Sequence, residues 1–299
     1  MTHSRTMLDG FILGAVLMLL GLGLQWGLGP VDWNLLAWPV NAYVLAGFLL
    51  CIAVLFLLRK KVAAFRFIAT YQAAIPTMVY AVVLTMVMGL TRQEAHGTWL
   101  HHMLTFWPFV LIYVLIAFIL GMTVLKQLRT WAAARFSLPA FHFSLLLHLG
   151  LFLAMTTATL GNADVQHLKM VAFKDTPESR ALTAENKVYQ LPLTIELKRF
   201  ILDTYADGSP KRFASELQIL TDTGKNIHVT VDVNQPAEVE GWKIYQYGYD
   251  TQEGARSRYS ILELVSDPWL PLVYTGIYMM LAGAVCMFVV GGKKKEIIV

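Results

Sequence analysis

Long apolar runs separated by short polar connections occupy most of the 299-residue chain. A helix needs about 20 residues to cross the hydrocarbon core of a bilayer, and the pattern predicts six such helices. The third contains Pro76, which falls in the first turn of the predicted helix, where its missing N–H costs little. The six predicted spans lie near residues 10–28, 40–58, 74–90, 104–125, 140–160 and 269–290.

Residues 162–267 follow a different pattern, in which apolar and polar positions alternate over short runs. Alternation with period two indicates strands, and the connections between these runs, such as ADGSPK and NQPAEVEG, carry turn residues. Successive strands of this kind predict an antiparallel sandwich or a curled sheet. The predicted strands are 191–205, 212–222, 226–233, 242–250 and 258–265.

Composition and charge place the chain in a membrane and orient it. Hydrophobic residues make up 56% of the chain and charged residues 15%, which is unlike a soluble domain. Lys and Arg concentrate in short cytoplasmic loops. All Lys and Arg residues outside 162–267, except Arg92, lie in segments that are cytoplasmic if the N-terminus is cytoplasmic. They are Arg5, Arg59, Lys60, Lys61, Arg66, Lys126, Arg129, Arg135, Lys293, Lys294 and Lys295. The formal net charge of +4 therefore reports topology, and no nucleic-acid partner is predicted.

The predicted fold is a mainly α-helical polytopic membrane protein with six transmembrane helices and an exported, β-rich, sandwich-like domain inserted between spans five and six. The first span has no small-residue cleavage site after it and is expected to be retained. Both termini are predicted to be cytoplasmic. The predicted regions are 1–73 with two spans of unknown role, 74–161 with spans three to five, the exported domain 162–267, and 268–299 with the last span and a basic tail.

Cysteine usage excludes several kinds of site. The two cysteines, Cys51 and Cys286, lie within predicted spans, and the predicted exported domain has none. That domain therefore has no CxxC pair for thiol exchange, no CxxCH for covalent haem and no Cys/His cluster for structural zinc. The chain also lacks a Gly-rich phosphate loop, a G-x-S-x-G elbow and an H-E-x-x-H motif.

The stretch FHFSLLLHLGLF places two histidines in the fifth predicted span. His148 lies about 12 Å into that span from Pro139, and ionisable side chains at such depth commonly mark a functional site. The alternative is a neutral histidine bonded to a Ser or Thr of a neighbouring helix. His142 is nearer the inner boundary and about 120° away around the helix, so one helix cannot present both to one metal. If His148 binds an iron as an axial ligand, the opposite ligand would have to come from a second chain, because no other predicted span contains a histidine.

Small residues follow His148 along the same span. Gly150, Ala154 and Ala158 are expected to allow close approach of a neighbouring helix. A planar macrocycle could then lie between this helix and a partner helix.

Two further sets of residues are candidates for binding. His96, His101 and His102 lie in the outer loop before the fourth span, beside Trp99 and Trp107; an interfacial aromatic belt and a shelf for a planar ligand are both open readings. In the strand WKIYQYGYD, alternation places Tyr245, Tyr247 and Tyr249 on one face, opposite Trp242 and Ile244. This tyrosine face is predicted either to pack between sheets or to dock a partner.

Three stretches resemble the ResB-like (CcsB) family, the membrane component of System II cytochrome c maturation. They are HLGLFLAMTTATLGNADVQHLKM, YQLPLTIELKRFILDTY and GWKIYQYGYDTQEG followed by SILELVSDPWLPLVYTGIYMMLAGAVCMF. The resemblance covers roughly residues 74–290. It implies a bacterial inner-membrane protein that moves haem and supports its attachment to apocytochrome c, together with a CcsA-type partner. The transmembrane haem-ligating histidine of the family would fall on His148, with b-type haem bound transiently and shared with the partner.

The sequence departs from that machinery in two respects. Residues 10–58 lie outside the resemblance, and the Trp-rich WWD segment of the partner half is absent. The chain alone is therefore expected to be at most the non-catalytic half of a haem lyase. Two alternatives remain: a non-haem scaffold that holds apocytochrome or the partner, and a b-type electron-transfer subunit. The second alternative would normally need paired histidines on facing helices.

Reporter fusions test the predicted topology. Fusions after residues 62, 130 and 295 should report the cytoplasm, and fusions after residues 97 and 207 the exported side, because charge orients the spans. A fusion after residue 295 that reports the exported side would overturn the six-span arrangement.

Overall fold

The computed structural model describes residues 6–93, 99–135 and 143–293. Arg5 and the tail from residue 294 lie outside these ranges. The chain divides into a helical unit and a sheet unit, the latter formed by Asp164–Pro268. The helices are α1 (Met7–Leu28), α2 (Val40–Leu58), the short α3 (Ala63–Ile68), α4 (Tyr71–Leu90), α5 (Trp107–Ala133), α6 (Phe143–Gly161) and α7 (Leu270–Lys293).

Six of these helices, all but α3, are long and apolar enough to cross a membrane, which confirms the six predicted spans. Helix α4 begins at Tyr71, however, so the prediction that Pro76 lies in the first turn is wrong. Pro76 has no N–H to donate to the carbonyl of Gln72. Gly10 of α1 packs against this point, and a Cβ at Gly10 would lie 2.2 Å from the Gln72 oxygen. The proline is thus tolerated where another helix packs closely.

Helix α5 is the centre of the helical unit. It contacts α1, α2, α4 and α6, and 61% of its most apolar segment is buried, against 33% or less in the other five spans. Amide side chains tie the helix ends together. Gln25 Oε1 accepts a hydrogen bond from the Trp107 backbone N–H at 3.1 Å, and Asn41 Nδ2 donates to the Leu160 carbonyl at 3.1 Å. Such bonds are required where no water is available.

Helices α6 and α7 pack backbone against backbone. A Cβ at Gly150 would lie 2.5 Å from both the Gly276 carbonyl oxygen and the Met280 nitrogen. A Cβ at Gly276 would in turn lie 2.5 Å from the Ala154 nitrogen, and one at Gly283 would lie 2.6 Å from the Leu147 nitrogen. Small residues permit this approach, which maximises van der Waals contact between membrane helices.

The sheet unit is one antiparallel sheet of eight strands in the order β5-β4-β3-β2-β1-β8-β7-β6. Strands β1 and β8, which lie next to α6 and α7 in the chain, pair in continuous register from Gln166 opposite Ser266 to Phe173 opposite Tyr259. The strands are β1 (Gln166–Phe173), β2 (Glu178–Leu182), β3 (Val188–Thr204), β4 (Pro210–Thr221), β5 (Asn226–Asp232), β6 (Ala237–Val239), β7 (Trp242–Tyr249) and β8 (Tyr259–Ser266).

The sheet curls so that its two ends face each other. Ser215 Oγ on β4 donates to Gln246 Oε1 on β7 at 2.6 Å and lies 2.8 Å from Ser260 Oγ on β8, although three strands separate β4 from β8 in the sheet. Gln246 Nε2 also donates to Ser260 Oγ at 2.7 Å and to the Gly248 carbonyl at 2.8 Å, so these buried polar groups are satisfied. Aliphatic side chains fill the rest of the interior. Of the two predicted forms, the curled single sheet is therefore correct, and the sandwich-like description is wrong.

Three strands escaped prediction, each for a local reason. In β1, Leu168 and Met170 point inward, but the exposed Val171 and Phe173 make the outer face apolar as well, which hides the alternation. Strand β2 has five residues and β6 has three, too few to show a period of two.

Substitution of Gly150 tests the packing of α6 on α7. Gly150→Ala should destabilise the protein by about 1–3 kcal/mol, because the new methyl group meets backbone atoms that cannot move alone. Thermal unfolding of the purified chain in detergent measures the effect. Gly47→Ala in α2 is the matched control, since its Cβ would meet nothing within 4 Å; equal losses at both positions would contradict the proposed contact.

Candidate functional site

His148 lies on α6, and its ring is held by its own helix. The Nδ1 atom is 2.5 Å from the carbonyl oxygen of Ser144, one turn earlier. A carbonyl oxygen can only accept, so Nδ1 is the donor, and in the neutral ring this tautomer places the lone pair on Nε2. Within the described ranges no hydrogen bond reaches Nε2. The partner is thus the backbone of α6, not the Ser or Thr of a neighbouring helix that the sequence left open.

The face of α6 that carries His148 is polar and contacts α5. Gln127 Nε2 of α5 donates to Ser144 Oγ at 2.8 Å. Seven residues beyond His148, the Tyr113 hydroxyl of α5 donates to the Met155 carbonyl at 3.1 Å. At about 100° per residue, Ser144 and Met155 lie on the same side of α6 as His148. The imidazole is half-buried there, between two contacts that fix α6 against α5.

The side of α6 that carries Gly150 does not have the predicted role of admitting a haem. Gly150 and Ala154 do allow a neighbouring helix to approach, but that helix is α7 of the same chain, and the backbones leave no room for a macrocycle. Gly150 is also about 200° around the helix from His148. Ala158 is exposed. The prediction that this side would admit a haem between α6 and a partner helix is therefore wrong.

His101 and His102, in the segment before α5, lie far from His148. Tyr113, in the second turn of α5, contacts α6 at Met155. Met155 lies about 10 Å along the axis of α6 from His148. One iron cannot be bound by groups at both depths. His101 Nδ1 is buried and has no hydrogen-bond partner among the described residues. His96 and His142 lie outside the described residues.

Two tryptophans beside this segment hold the backbone of neighbouring loops. Trp107 Nε1 donates to the Gly29 carbonyl at 2.9 Å, and Trp33 Nε1 donates to the Leu104 carbonyl at 3.1 Å. Trp99, by contrast, is 50% exposed. Their hydrogen bonds give Trp107 and Trp33 a structural role, whether or not they also lie at a membrane interface.

The three tyrosines of β7 do not share one face, so that prediction is wrong for Tyr249. A bulge between Gln246 and Gly248 shifts the register, and Tyr249 comes opposite Ser260, an inward residue of β8. Its ring packs on Phe200, with ring centroids 4.9 Å apart, and on Phe213 at 5.1 Å. Tyr245 and Tyr247 stay on the outer face. Tyr247 is 51% exposed, and the Lys169 ammonium lies 3.9 Å from its ring centroid.

Groups that could hold a metal do not cluster elsewhere. Among the described residues, no three His, Cys, Asp or Glu side chains are placed to hold an ion. Several carboxylates of the sheet unit are paired with basic side chains instead. Arg180 donates to Glu178 at 2.8 and 2.9 Å, which lowers the pKa of Glu178 to about 2. His148 remains the candidate that the sequence predicts for binding a cofactor.

Comparison with known proteins gives three findings. Residues 132–259 match the sequence profile of the ResB-like family. Cytochrome c biogenesis protein CcsB of Prochlorococcus marinus, strains NATL1A and NATL2A, is 28% identical over 102 residues, which are 34% of this chain and 23% of that protein. The matched part is thus less than a quarter of those relatives. Among solved structures, Cytochrome c Heme Lyase CcmF aligns with 82% of this chain and 44% of its own, at 12% identity and a TM-score of 0.37.

Because of the bulge in β7, substitutions of Tyr247 and Tyr249 are expected to change stability by different amounts. Tyr249→Ala should destabilise the sheet unit by about 2 kcal/mol or more, because it removes a ring packed on two others. Tyr247→Ala should change stability by less than about 0.5 kcal/mol, as expected at an exposed position. Denaturant unfolding followed by tryptophan fluorescence compares the two, and equal effects would contradict the inward placement of Tyr249.

Proposed function

Because this chain belongs to the ResB-like family, we propose that it is a subunit of a cytochrome c maturation complex. In this proposal it handles haem and supports covalent haem attachment to apocytochrome c together with a CcsA-type membrane partner. The complex lies in the bacterial inner membrane, with both termini of this chain in the cytoplasm and the sheet unit on the exported side. The charge distribution along the chain supports that orientation.

The observation that carries the proposal is the state of His148. In the neutral ring, its bond to the Ser144 carbonyl places the proton on Nδ1 and the lone pair on Nε2, which is the form in which imidazole ligates iron. The ligating histidines of metal sites commonly donate their second ring N–H to a carbonyl or carboxylate. Haem, when bound, would supply an iron that takes nitrogen ligands. His148 would provide one of these ligands, and the partner would provide another.

Residues around His148 would hold the ring in place. Ser144 receives the hydrogen bond of Gln127 on its hydroxyl while its carbonyl accepts from His148. These contacts connect α5, α6 and the imidazole. In the proposed function they keep Nε2 directed away from Ser144 and fix the tautomer before haem arrives.

The sheet unit would act without redox chemistry, since it contains no cysteine. Tyr245 and Tyr247 on its outer face, with Lys169 beside Tyr247, are the proposed docking residues for apocytochrome or the partner. Tyr249 no longer belongs to this group, because its ring packs inward.

A non-haem scaffold remains the second candidate. It is favoured by the same bond at His148, because a ring nitrogen bonded within its own helix can also be a structural feature. A b-type electron-transfer subunit is less consistent with the described spans, which place no second histidine opposite His148.

The visible spectrum of the complex tests the proposal. His148→Ala should abolish the Soret band of this chain co-purified with its CcsA-type partner, because one axial ligand is removed. Added imidazole should partly restore the band. His142→Ala is the matched control and should keep most of the parental band, because the sequence predicts His142 to be nearer the membrane boundary than His148 and the weaker candidate.

Three outcomes separate the candidates. A band that requires the partner and His148 supports the haem-handling subunit. No band under any condition supports the scaffold, and a stable band in the isolated chain supports electron transfer. A His148→Ala complex that keeps the parental band would contradict the assignment of His148.

A further inference from the structure

The two ends of the eight-stranded sheet differ in length and protection. Strand β6 has three residues and is bounded by Pro236 and by Glu240 and Gly241, both with positive φ. Such a short end strand is poorly suited to pair with another chain. Strand β5, at the other end, has seven residues paired with β4 in regular register. The sheet therefore has one blunted end and one regular end.

Backbone hydrogen bonds at both ends of β5 show which of its groups point away from β4. The Asp232 N–H donates to the Gln235 carbonyl, away from β4, and the Thr221 N–H donates to the Lys225 carbonyl in the turn before β5. Between these two bonds, successive residues of β5 point their backbone groups alternately toward β4 and away from it. The N–H and C=O of Asn226, His228 and Thr230 therefore lie on the outer edge. All three side chains are exposed.

The outer edge of β5 carries none of the usual protections. The sequence NIHVTVD contains no Pro, Lys, Arg or Glu, and the pairing with β4 contains no bulge. The curl of the sheet brings β5 close to β6 and β7, but Asp232 opposite Gln235 is the bridge that joins this edge to the following segment. In the sheet unit, all of whose residues are described, no other strand is hydrogen-bonded to this edge along residues 226–230.

The far end of β5 is fixed to β4. Arg212 donates to Asp232 through Nε at 2.7 Å and through a terminal nitrogen at 2.8 Å. Hydrogen bonding to Arg212 lowers the pKa of Asp232. On the inner side, Ile227, Val229 and Val231 pack on the core. Strand β5 is therefore held on one edge and one face, while its outer edge keeps an extended conformation.

We propose that the outer edge of β5 binds an extended segment of unfolded polypeptide as an added strand. Backbone pairing of this kind uses main-chain hydrogen bonds and tolerates varied side chains. An unfolded chain suits it, because a folded partner rarely offers a free strand. The identity of that chain rests on the proposed function, in which it is apocytochrome c before haem attachment.

Proline substitution at His228 isolates the edge. The His228 N–H points outward and makes no bond to β4, so His228→Pro removes no hydrogen bond of the sheet, and proline is tolerated at such edge positions. It does remove an outward donor and places its ring in the path of an added strand. His228→Ala is the matched control, because it keeps the N–H.

Binding is measured with the full-length chain in nanodiscs and fluorescence-labelled haem-free cytochrome c whose cysteines are carboxymethylated. The parent and His228→Ala should bind alike. His228→Pro should bind at least about tenfold more weakly, since one backbone bond and the alignment of its neighbours are lost. Amide exchange in residues 226–232 should slow on binding in the parent and not in His228→Pro.

The thermal unfolding midpoint checks that His228→Pro is folded, and Thr230→Pro, at the next outward position, replaces it if it is not. Equal binding by parent and proline variant, or protection confined to other segments, would overturn the proposal. Failure of the parent to bind the haem-free chain would overturn it as well. The assay contains no haem, so its result is independent of the His148 spectrum. Edge binding without a His148-dependent band would leave the strand addition standing and remove the haem role.

Discussion

Backbone contact between α6 and α7 sets the rotation of the helix that carries His148. Gly150, Gly276 and Gly283 have no side chains, so carbonyl and amide atoms of the two helices meet at distances that any Cβ would prevent. Because one side of α6 is committed to α7, the opposite side must face elsewhere. That side carries His148, and it contacts α5 through Ser144 and Met155.

Several polar groups inside the helical unit have hydrogen-bond partners. The amides of Gln25 and Asn41 and the hydroxyl of Ser144 each have one, as expected where water is scarce. Among the described residues, His148 bonds through Nδ1 to its own helix, whereas His101 Nδ1 and Gln127 Oε1 are buried without a partner. The bond at His148 fits a ligating role and a structural role equally well.

Local irregularities decided where sequence interpretation failed. Alternation assigned Tyr249 to the outer face of β7, but a single extra residue in a bulge reverses every later side chain. Pro76 was placed in a first turn because the apolar run begins late, whereas the helix begins at Tyr71, among residues of mixed polarity. Strand β1 was missed because both of its faces carry apolar residues.

The sequence by itself determined six helices long and apolar enough to cross a membrane and a β-rich segment in residues 162–267, because these depend on hydropathy and period, which are properties of consecutive residues. It also predicted a ligating role for His148. Only the tertiary structure decided that the sheet is single and curled, that Gly150 faces α7, that His148 keeps its Nδ1 proton and that β5 is an open edge. Those features depend on which residues distant in the chain meet, and the free energy of close packing and hydrogen bonding selects that pairing from many that the same pattern would allow.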